Sequence, residues 1–396
     1  MNKFSPFHKG NPLARIYISM LLFDVGEGAL RFLVPVHLKG LGFRLSTVGF
    51  VTSAFALATL ASRIPTGFLY RPGRAAFYVR TAGLVSSLAF LTLPFASRFG
   101  QFVALMILDG ISWGVVTTIL LTTLLSTRVD GMSTAASMGW YVGVNGLGHS
   151  VAALLGGTLA DIVGVRGSFF VFAVIPFTAT MIIGHRLPRT GDSRRQPRPQ
   201  FGAIAQVRRL PTSVWIAFGA ALYLNSINGM LNAFFPVLAL GIGFSLTQAG
   251  TLASIRSGVS AVTRFMSIPV FERISVKRLT LPLLAVAGAT AMAIGVTTSF
   301  LVQIPLWALN GVARGLVRVG TGTDAMDSLG EGQEGVAASV MSFGLDLGKV
   351  TGPLVAGLVA DAIGLSKAFV WMPAALFLTY LLLLSISRFL RQPVTT

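Results

Sequence analysis

The sequence predicts an all-α integral membrane protein of about twelve transmembrane helices, arranged as two pseudo-symmetric six-helix bundles. Three observations predict it: a strongly apolar composition, an even number of apolar stretches of membrane length, and a repeat relating the two halves of the chain. Of the 396 residues, 53% are hydrophobic and only 11% are charged, whereas a soluble domain carries roughly 25% charged residues. With so few charges, most helix faces have no water to meet. The 44 glycines fit the same surroundings, because small residues let membrane helices approach closely. Cysteine is absent, which excludes a disulfide framework and any thiolate metal site.

A span needs about 20 mostly apolar residues to cross roughly 30 Å of hydrocarbon. On that ruler the predicted spans lie near 15–38, 46–69, 75–96, 99–126, 132–161 and 166–186, then near 210–239, 247–271, 279–298, 301–326, 332–361 and 366–388. Between the two sets runs a polar stretch from Arg186 to Arg209 with Pro188, Pro197, Pro199 and seven arginines. The domain reading is therefore an N-terminal bundle over 1–186, a cytoplasmic linker over 187–209 and a C-terminal bundle over 210–396.

The formal net charge of +18 raises the question of nucleic acid, and the placement of the charge answers it. Of the 31 basic residues, about 19 fall in segments on the side of the linker and termini, and five on the other side (Lys39, Arg44, Arg98, Arg166, Lys367). That asymmetry is the positive-inside pattern and places both termini in the cytoplasm. No contiguous basic face on a polar domain is present, so no nucleic-acid partner is expected. The N-terminus lacks a short apolar core ending in a cleavage site, and the first span is expected to stay in the protein. Arginine outnumbers lysine by 25 to 6, a bias that points to a prokaryotic plasma (inner) membrane.

The repeat has an offset of 201. Pro35-Val36 falls on Pro236-Val237, Gly42-Phe43 on Gly243-Phe244, and Leu45, Gly49, Ser53 and Arg63 fall on Leu246, Gly250, Ser254 and Arg264. Asp109-Gly110 falls on Asn310-Gly311. With an offset of 200, Gly157, Ala160-Asp161 and Gly164 fall on Gly357, Ala360-Asp361 and Gly364. Three blocks in order mean duplication. Parallel six-span halves place a binding site between them near the midplane, where rocking exposes it to either side.

The segment from Gly157 to Gly164 and its copy from Gly357 to Gly364 resemble the G-x-L-A-D-x-x-G signature of the major facilitator superfamily. Arg63-Ile64-Pro65-Thr66-Gly67, followed by Arg71-Pro72-Gly73-Arg74, is similar to that family's loop between the second and third helices. The resemblance spans the whole chain and implies its fold, with a charge-paired latch at the inner gate. Arg63, Arg71, Arg74, Arg264, Glu272 and Arg273 are the gating candidates. The family's acidic residue is missing from the first of these loops, where Tyr70 and Arg71 stand, while the second keeps Glu272-Arg273. The fourth span also lacks an arginine that many proton-driven exporters carry. Asp109 and Trp113 stand in that region.

Ionisable side chains at membrane depth are costly and are functional candidates by default. Asp24, Glu27 and Arg31 recur at i, i+3 and i+7 of the first span and share one helix face. Asn225, Asn228 and Asn232 form the matching stripe on the seventh. Two carboxylates one turn apart in a low dielectric resist simultaneous ionisation, so one can take up and release a proton. The proton-coupling candidates are Asp24, Glu27, Asp109 and Asp346. The substrate-binding candidates are Arg31, Trp113, Asn145, His149, Asn225, Asn228, Asn232, Arg256, Arg314 and Lys349, with Tyr141 and Phe23 as possible stacking partners. Within the spans four acids (Asp24, Glu27, Asp109, Asp346) face five bases (Arg31, Arg256, Arg314, Arg318, Lys349). A margin of one cation points toward an anionic or zwitterionic ligand, and complete internal pairing is the alternative.

No P-loop, enzyme signature or metal-spaced cluster is present. No cofactor is expected beyond a transmembrane proton gradient as driving force, and the partners are the lipid bilayer and a small-molecule substrate, with a monomer as the unit. The expected function is proton-coupled export of small amphipathic or organic-anion compounds by alternating access. The alternatives are a proton symporter importing an organic acid, and a non-transporting receptor or assembly factor on the same fold.

Overall fold

In hydrocarbon every backbone N–H and C=O must be satisfied within its own segment, so apolar stretches of this length fold as helices. The computed structural model describes residues 13–127, 133–183, 187, 207, 210–329 and 333–389. Most of the predicted linker over 187–209 lies outside the described residues. The helices of the first half are α1 (Ala14–Gly40), α2 (Leu45–Leu69), α3 (Ala75–Thr92) and α4 (Phe99–Ser126). The helical stretch Thr134–Ile183 is broken at Gly164, whose φ of 75° is left-handed, giving α5 (134–163) and α6 (165–183). The second half comprises α7 (Thr212–Gly241), α8 (Leu246–Phe265) with a short continuation Ser267–Arg273, α9 (Val276–Val296), α10 (Phe300–Asp327), α11 (Glu334–Ile363) and α12 (Leu365–Phe389).

The predicted spans coincide with these helices to within a few residues, save that the eighth breaks at Met266. Among the described residues nine helices are long and apolar enough to cross a membrane, one of them the double stretch of α5 and α6. The two spans outside that set are α1, which carries Asp24, Glu27 and Arg31, and α8, which carries Arg256 and Arg264. Both carry charged side chains at membrane depth, as α4, α10 and α11 also do with Asp109, Arg314, Arg318, Asp346 and Lys349.

Within the first half α1 packs along α5, α2 along α4, and α3 along α4 and α6. The second half repeats this with α7 along α11, α8 along α10, and α9 along α10 and α12. The halves meet along two crossed pairs, α2 with α11 and α5 with α8, and more lightly along α1 with α7. An even number of spans brings the described ends, Leu13 and Phe389, to one side, called here the terminal face. The opposite side is the far face.

The signature motif closes the far face. Gly364 repeats the break of Gly164 with a φ of 91°, a conformation glycine adopts without a Cβ clash. The aspartate three residues before each glycine reaches across the molecule. Asp361 accepts from Leu45 N at 2.9 Å and Ser46 N at 3.0 Å, and Asp161 accepts from Leu246 N at 3.1 Å and Thr247 N at 2.7 Å. Each acid therefore caps the first turn of a helix in the other half, satisfying amides the helix itself leaves free and meeting the positive end of its dipole. Next to each cap the backbones touch: a Cβ on Gly49 would lie 2.3 Å from Pro353 O, and one on Gly250 would lie 2.2 Å from Ala153 O.

Candidate functional site

Between the halves lies a cavity of about 550 Å³. Its wall reaches Arg63, Thr122, Met138, Arg264, Arg318 and Ser342, all in the parts of their helices nearer the terminal face. Toward the far face the α2–α11 and α5–α8 contacts seal it. A smaller recess of about 60 Å³ shares Arg31, Trp113, Asn228, Asn232 and Lys349 with this wall.

On the first-half side, Arg31 Nε donates to Glu27 Oε1 at 2.6 Å. Its guanidinium lies 4.8 Å from the ring centre of Phe55 and 5.7 Å from that of Trp113, where the ring faces attract the cation. Asp24 shares this helix face but turns to α5. Its Oδ1 accepts from Asn145 Nδ2 at 2.8 Å and lies 3.3 Å from His149 Nδ1, which also stands 3.0 Å from Asn145 O. Asp24 thus makes an interhelical contact and leaves Arg31 to Glu27. Asp24 Oδ2 is buried with no donor. Asp109, on α4, accepts from Ser86 Oγ at 2.6 Å, while its Oδ2 is also buried without a donor. Glu27, one turn from Asp24 on α1, lies within the field of Asp109.

On the second-half side, Arg256 Nη2 donates to Asn232 Oδ1 at 2.6 Å. Its guanidinium lies 5.1 Å from the centre of Trp307, whose ring meets Phe235 edge-on at 4.5 Å. Asn225 satisfies Ala221 O at 2.8 Å, and Asn228 leaves Oδ1 buried without a donor. Arg314 and Arg318 complete this side of the wall. Asp346 is held by two cations: Lys349 Nζ at 3.0 Å on its own helix, and Arg63 Nη1 from α2. Unlike Asp24 and Asp109, it has no orphaned oxygen.

The cavity brings together Arg31, Arg63, Trp113, Asn145, His149, Asn225, Asn228, Asn232, Arg256, Arg264, Arg314 and Lys349. Asp24, Glu27 and Asp109 stand directly behind that wall. Tyr141 lines it, with its hydroxyl 3.4 Å from Met20 Sδ. Phe23 does not. Its ring packs into the notch left by Gly83 on α3. Arg71 and Arg74, on the turn Pro72–Arg74, and Glu272 and Arg273, on the continuation of α8, are exposed and form no ion pair among the described residues. The charge contact across the terminal half is Arg63–Asp346 instead. The expected margin of one unpaired cation is also corrected. Asp24 and Asp109 turn to polar neighbours, so Arg256, Arg264, Arg314 and Arg318 form no ion pair among the described residues. Phe55 and Ser86 were not among the candidates. A ring and a hydroxyl in apolar spans carry no sequence signal beyond their depth.

Twelve spans in two parallel-repeated bundles, with a polar cavity sealed at one face, define a multi-pass membrane transporter. The chain belongs to the Major Facilitator Superfamily, whose family model matches residues 16–349 and, in a second alignment, 218–396. An MFS-type transporter of Methanocaldococcus jannaschii is 18% identical over 89% of this chain and 92% of its own length. The multidrug resistance protein MdtG of Klebsiella pneumoniae is 24% identical over 80% of this chain and 77% of its own. The multi-drug resistance efflux pump PmrA of Streptococcus pneumoniae is 27% identical over 41% of each chain. Two solved structures share the fold. A bacterial homologue of the human lysosomal transporter Spinster has a TM-score of 0.78 at 15% identity, covering 96% of this chain and 97% of that one. The nucleoside transporter NupG has a TM-score of 0.76 at 12% identity, covering 94% and 98%.

Proposed function

We propose that this protein is a proton-coupled secondary active transporter of the plasma membrane that exports small amphipathic or organic-anion compounds by alternating access. The observation that carries this reading is the trio of buried carboxyls, Asp24, Glu27 and Asp109, immediately behind the cavity wall. Two of them hold an oxygen with no donor. A buried carboxylate oxygen without a donor is unfavourable, and protonation relieves it. Asp24 is joined to the cavity through Asn145 and His149, and Glu27 through Arg31, so gain or loss of a proton alters side chains that a solute would touch. Coupling requires that protonation change the relative affinities of the two open states, and the Glu27–Arg31 pair supplies a contact whose strength depends on it.

The direction of transport draws its support from the relatives named as multidrug efflux pumps. The positive-inside pattern supports a cytoplasmic terminal face, and on that reading the cavity opens inward with both termini cytoplasmic. A cationic second-half wall also suits an organic-acid symporter, and the sign of proton movement separates the two.

The test is proton flux into proteoliposomes with a trapped pH dye, challenged with lipophilic cations, organic anions and sugars. A solute-dependent pH change, lost in Asp24→Asn while the variant stays folded, supports coupling. Unaltered coupling in Asp24→Asn overturns it. Protons moving against the solute mark an exporter, and protons moving with it mark the symporter.

A further inference from the structure

We propose that Arg256, Arg264, Arg314 and Arg318 form an oxyanion subsite that receives the phosphate, phosphonate or carboxylate head of an amphipathic ligand. The proposal deepens the transport reading and rests on it only in treating the ligand as a transported solute.

All four side chains line the cavity, from two helices of one half, α8 and α10. They lie in one another's field: Arg314 is repelled by Arg256 and Arg318, and Arg264 by Arg318 and Arg314. A guanidinium stays charged at any physiological pH, so the repulsion is not relieved by losing a proton. Arg256 is the decisive member. It is only 2% exposed, its Nη2 is taken by Asn232, and its Nε and Nη1 have no acceptor. Arg264 likewise holds a buried Nε without one. Asp346 lies within the field of Arg318 but is already held by Arg63 and Lys349.

The free donors specify what fits. A forked guanidinium matches the paired oxygens of a carboxylate or phosphate. A neutral acceptor would leave the mutual repulsion standing, and a cation would add to it. The apolar surface supplies the second half of the description. Trp113, Phe32, Met20 and Tyr141 lie on the opposite side of the same cavity. An amphipathic anion therefore sits with its head on the second half and its body on the first. Such a head belongs either to a soluble organic anion or to a membrane lipid.

The experiment is equilibrium binding to the full chain in neutral detergent, with no gradient, read by tryptophan fluorescence and by thermal shift. Trp307 stands against Arg256 and reports on it. The probe is phenyl phosphate. Benzyltrimethylammonium and benzyl alcohol carry a similar body with a cationic or neutral head. Saturable binding of phenyl phosphate alone is expected, weakened about tenfold or more in Arg256→Gln and in Arg314→Gln. Arg314→Lys, which keeps the charge and loses the fork, is expected to fall between. The ligand-free melting temperature of each variant guards against misfolding. Equal binding of all three probes, or wild-type affinity in folded Arg256→Gln and Arg314→Gln, overturns the proposal. Repeating the titration in nanodiscs of phosphatidylcholine with and without phosphatidylglycerol separates the sources. Competition by the anionic lipid assigns the subsite to a lipid headgroup, and its absence assigns it to a soluble anion. Because no gradient is used, failure here leaves the Asp24→Asn result standing, and failure of coupling leaves this binding intact.

Discussion

The two seams between the bundles, α2 with α11 and α5 with α8, are copies at the far face and opposites toward the terminal face. At the far face each has an aspartate cap, Asp361 of α11 capping α2 and Asp161 of α5 capping α8, and a serine contact deeper in. Ser53 Oγ donates to Val350 O at 2.7 Å, and Ser150 Oγ donates to Ser254 O at 2.9 Å. Toward the terminal face Arg63 meets Asp346, whereas its duplicate Arg264 meets no acid. The position that repeats Asp346 in the first half is Gly146, which faces Ala261. The two halves share the chemistry that closes the far face and differ toward the terminal face, where the second half has a carboxylate and the first has a glycine. That difference gives a latch on one seam and a guanidinium without an acid on the other, and the latter joins the arginine cluster.

The comparison breaks most sharply if a matching carboxylate is placed in the first half. Gly146→Asp is expected to latch the second seam and reduce transport about tenfold, an effect that Gly146→Asn, with the same bulk and no charge, does not reproduce. Gly146→Ala shows what the added Cβ alone does, since it lies 3.1 Å from that of Ala261. If Gly146→Asn transports no better than Gly146→Asp, the two seams do not differ by charge. Next in size is Asp346→Asn, which strands Arg63 and Lys349. Arg63 is a third exposed, so solvent screens part of the loss, and about 1–2 kcal/mol is expected. Thermal unfolding of the purified variant reads it, and Arg63→Gln in the same chain recovers part of the loss.

At the far face the seams should behave alike, with one refinement. Asp361→Asn and Asp161→Asn each weaken a helix cap, worth about 1 kcal/mol. The effect is expected to be larger for Asp361. The α8 terminus has its own Ser245–Gln248 capping box, while Arg44 before α2 contributes no side-chain cap. The chain contains no cysteine, so Ser53→Cys on the α2–α11 seam and, in a separate chain, Ser254→Cys on the α5–α8 seam each provide a single labelling site. A greater acceleration of a membrane-impermeant maleimide at Ser53→Cys by Asp361→Asn than at Ser254→Cys by Asp161→Asn would show the difference. Equal accelerations would mean that the box adds nothing. The smallest effect belongs to Arg71→Ala and Arg74→Ala. Both residues are exposed and unpaired among the described residues, so each should change stability by less than about 0.5 kcal/mol and leave transport within about twofold. A larger loss would restore them to the gate.

The fold was legible because hydrocarbon thickness acts as a ruler that apolar runs must match, and because the repeat placed Gly164 and Gly364 at equivalent breaks. The interruption at Met266 was not, since Leu246–Phe265 and Ser267–Arg273 read as one stretch. In the site, Asp24, Glu27 and Arg31 stood out as charges in an apolar span. Which partner each acid takes did not. Asn145 and His149 reach Asp24, and Ser86 reaches Asp109, from other helices, and no spacing along the chain encodes which rotamer a carboxylate takes. For the same reason a count of acids against bases understated the cationic surplus. It treated Asp24 and Asp109 as counter-ions, whereas the folded chain aims them elsewhere.

The cap on α2 also bears on how the chain is made. Leu45 N finds its acceptor 316 residues further along the sequence, on the eleventh of twelve spans. During synthesis the second span therefore enters the bilayer with its first turn unfinished, and waits through nine further helices for Asp361. The α8 terminus has Asp161 already in place when it emerges. The first bundle to be translated thus has its α2 cap completed only once the eleventh span has been made.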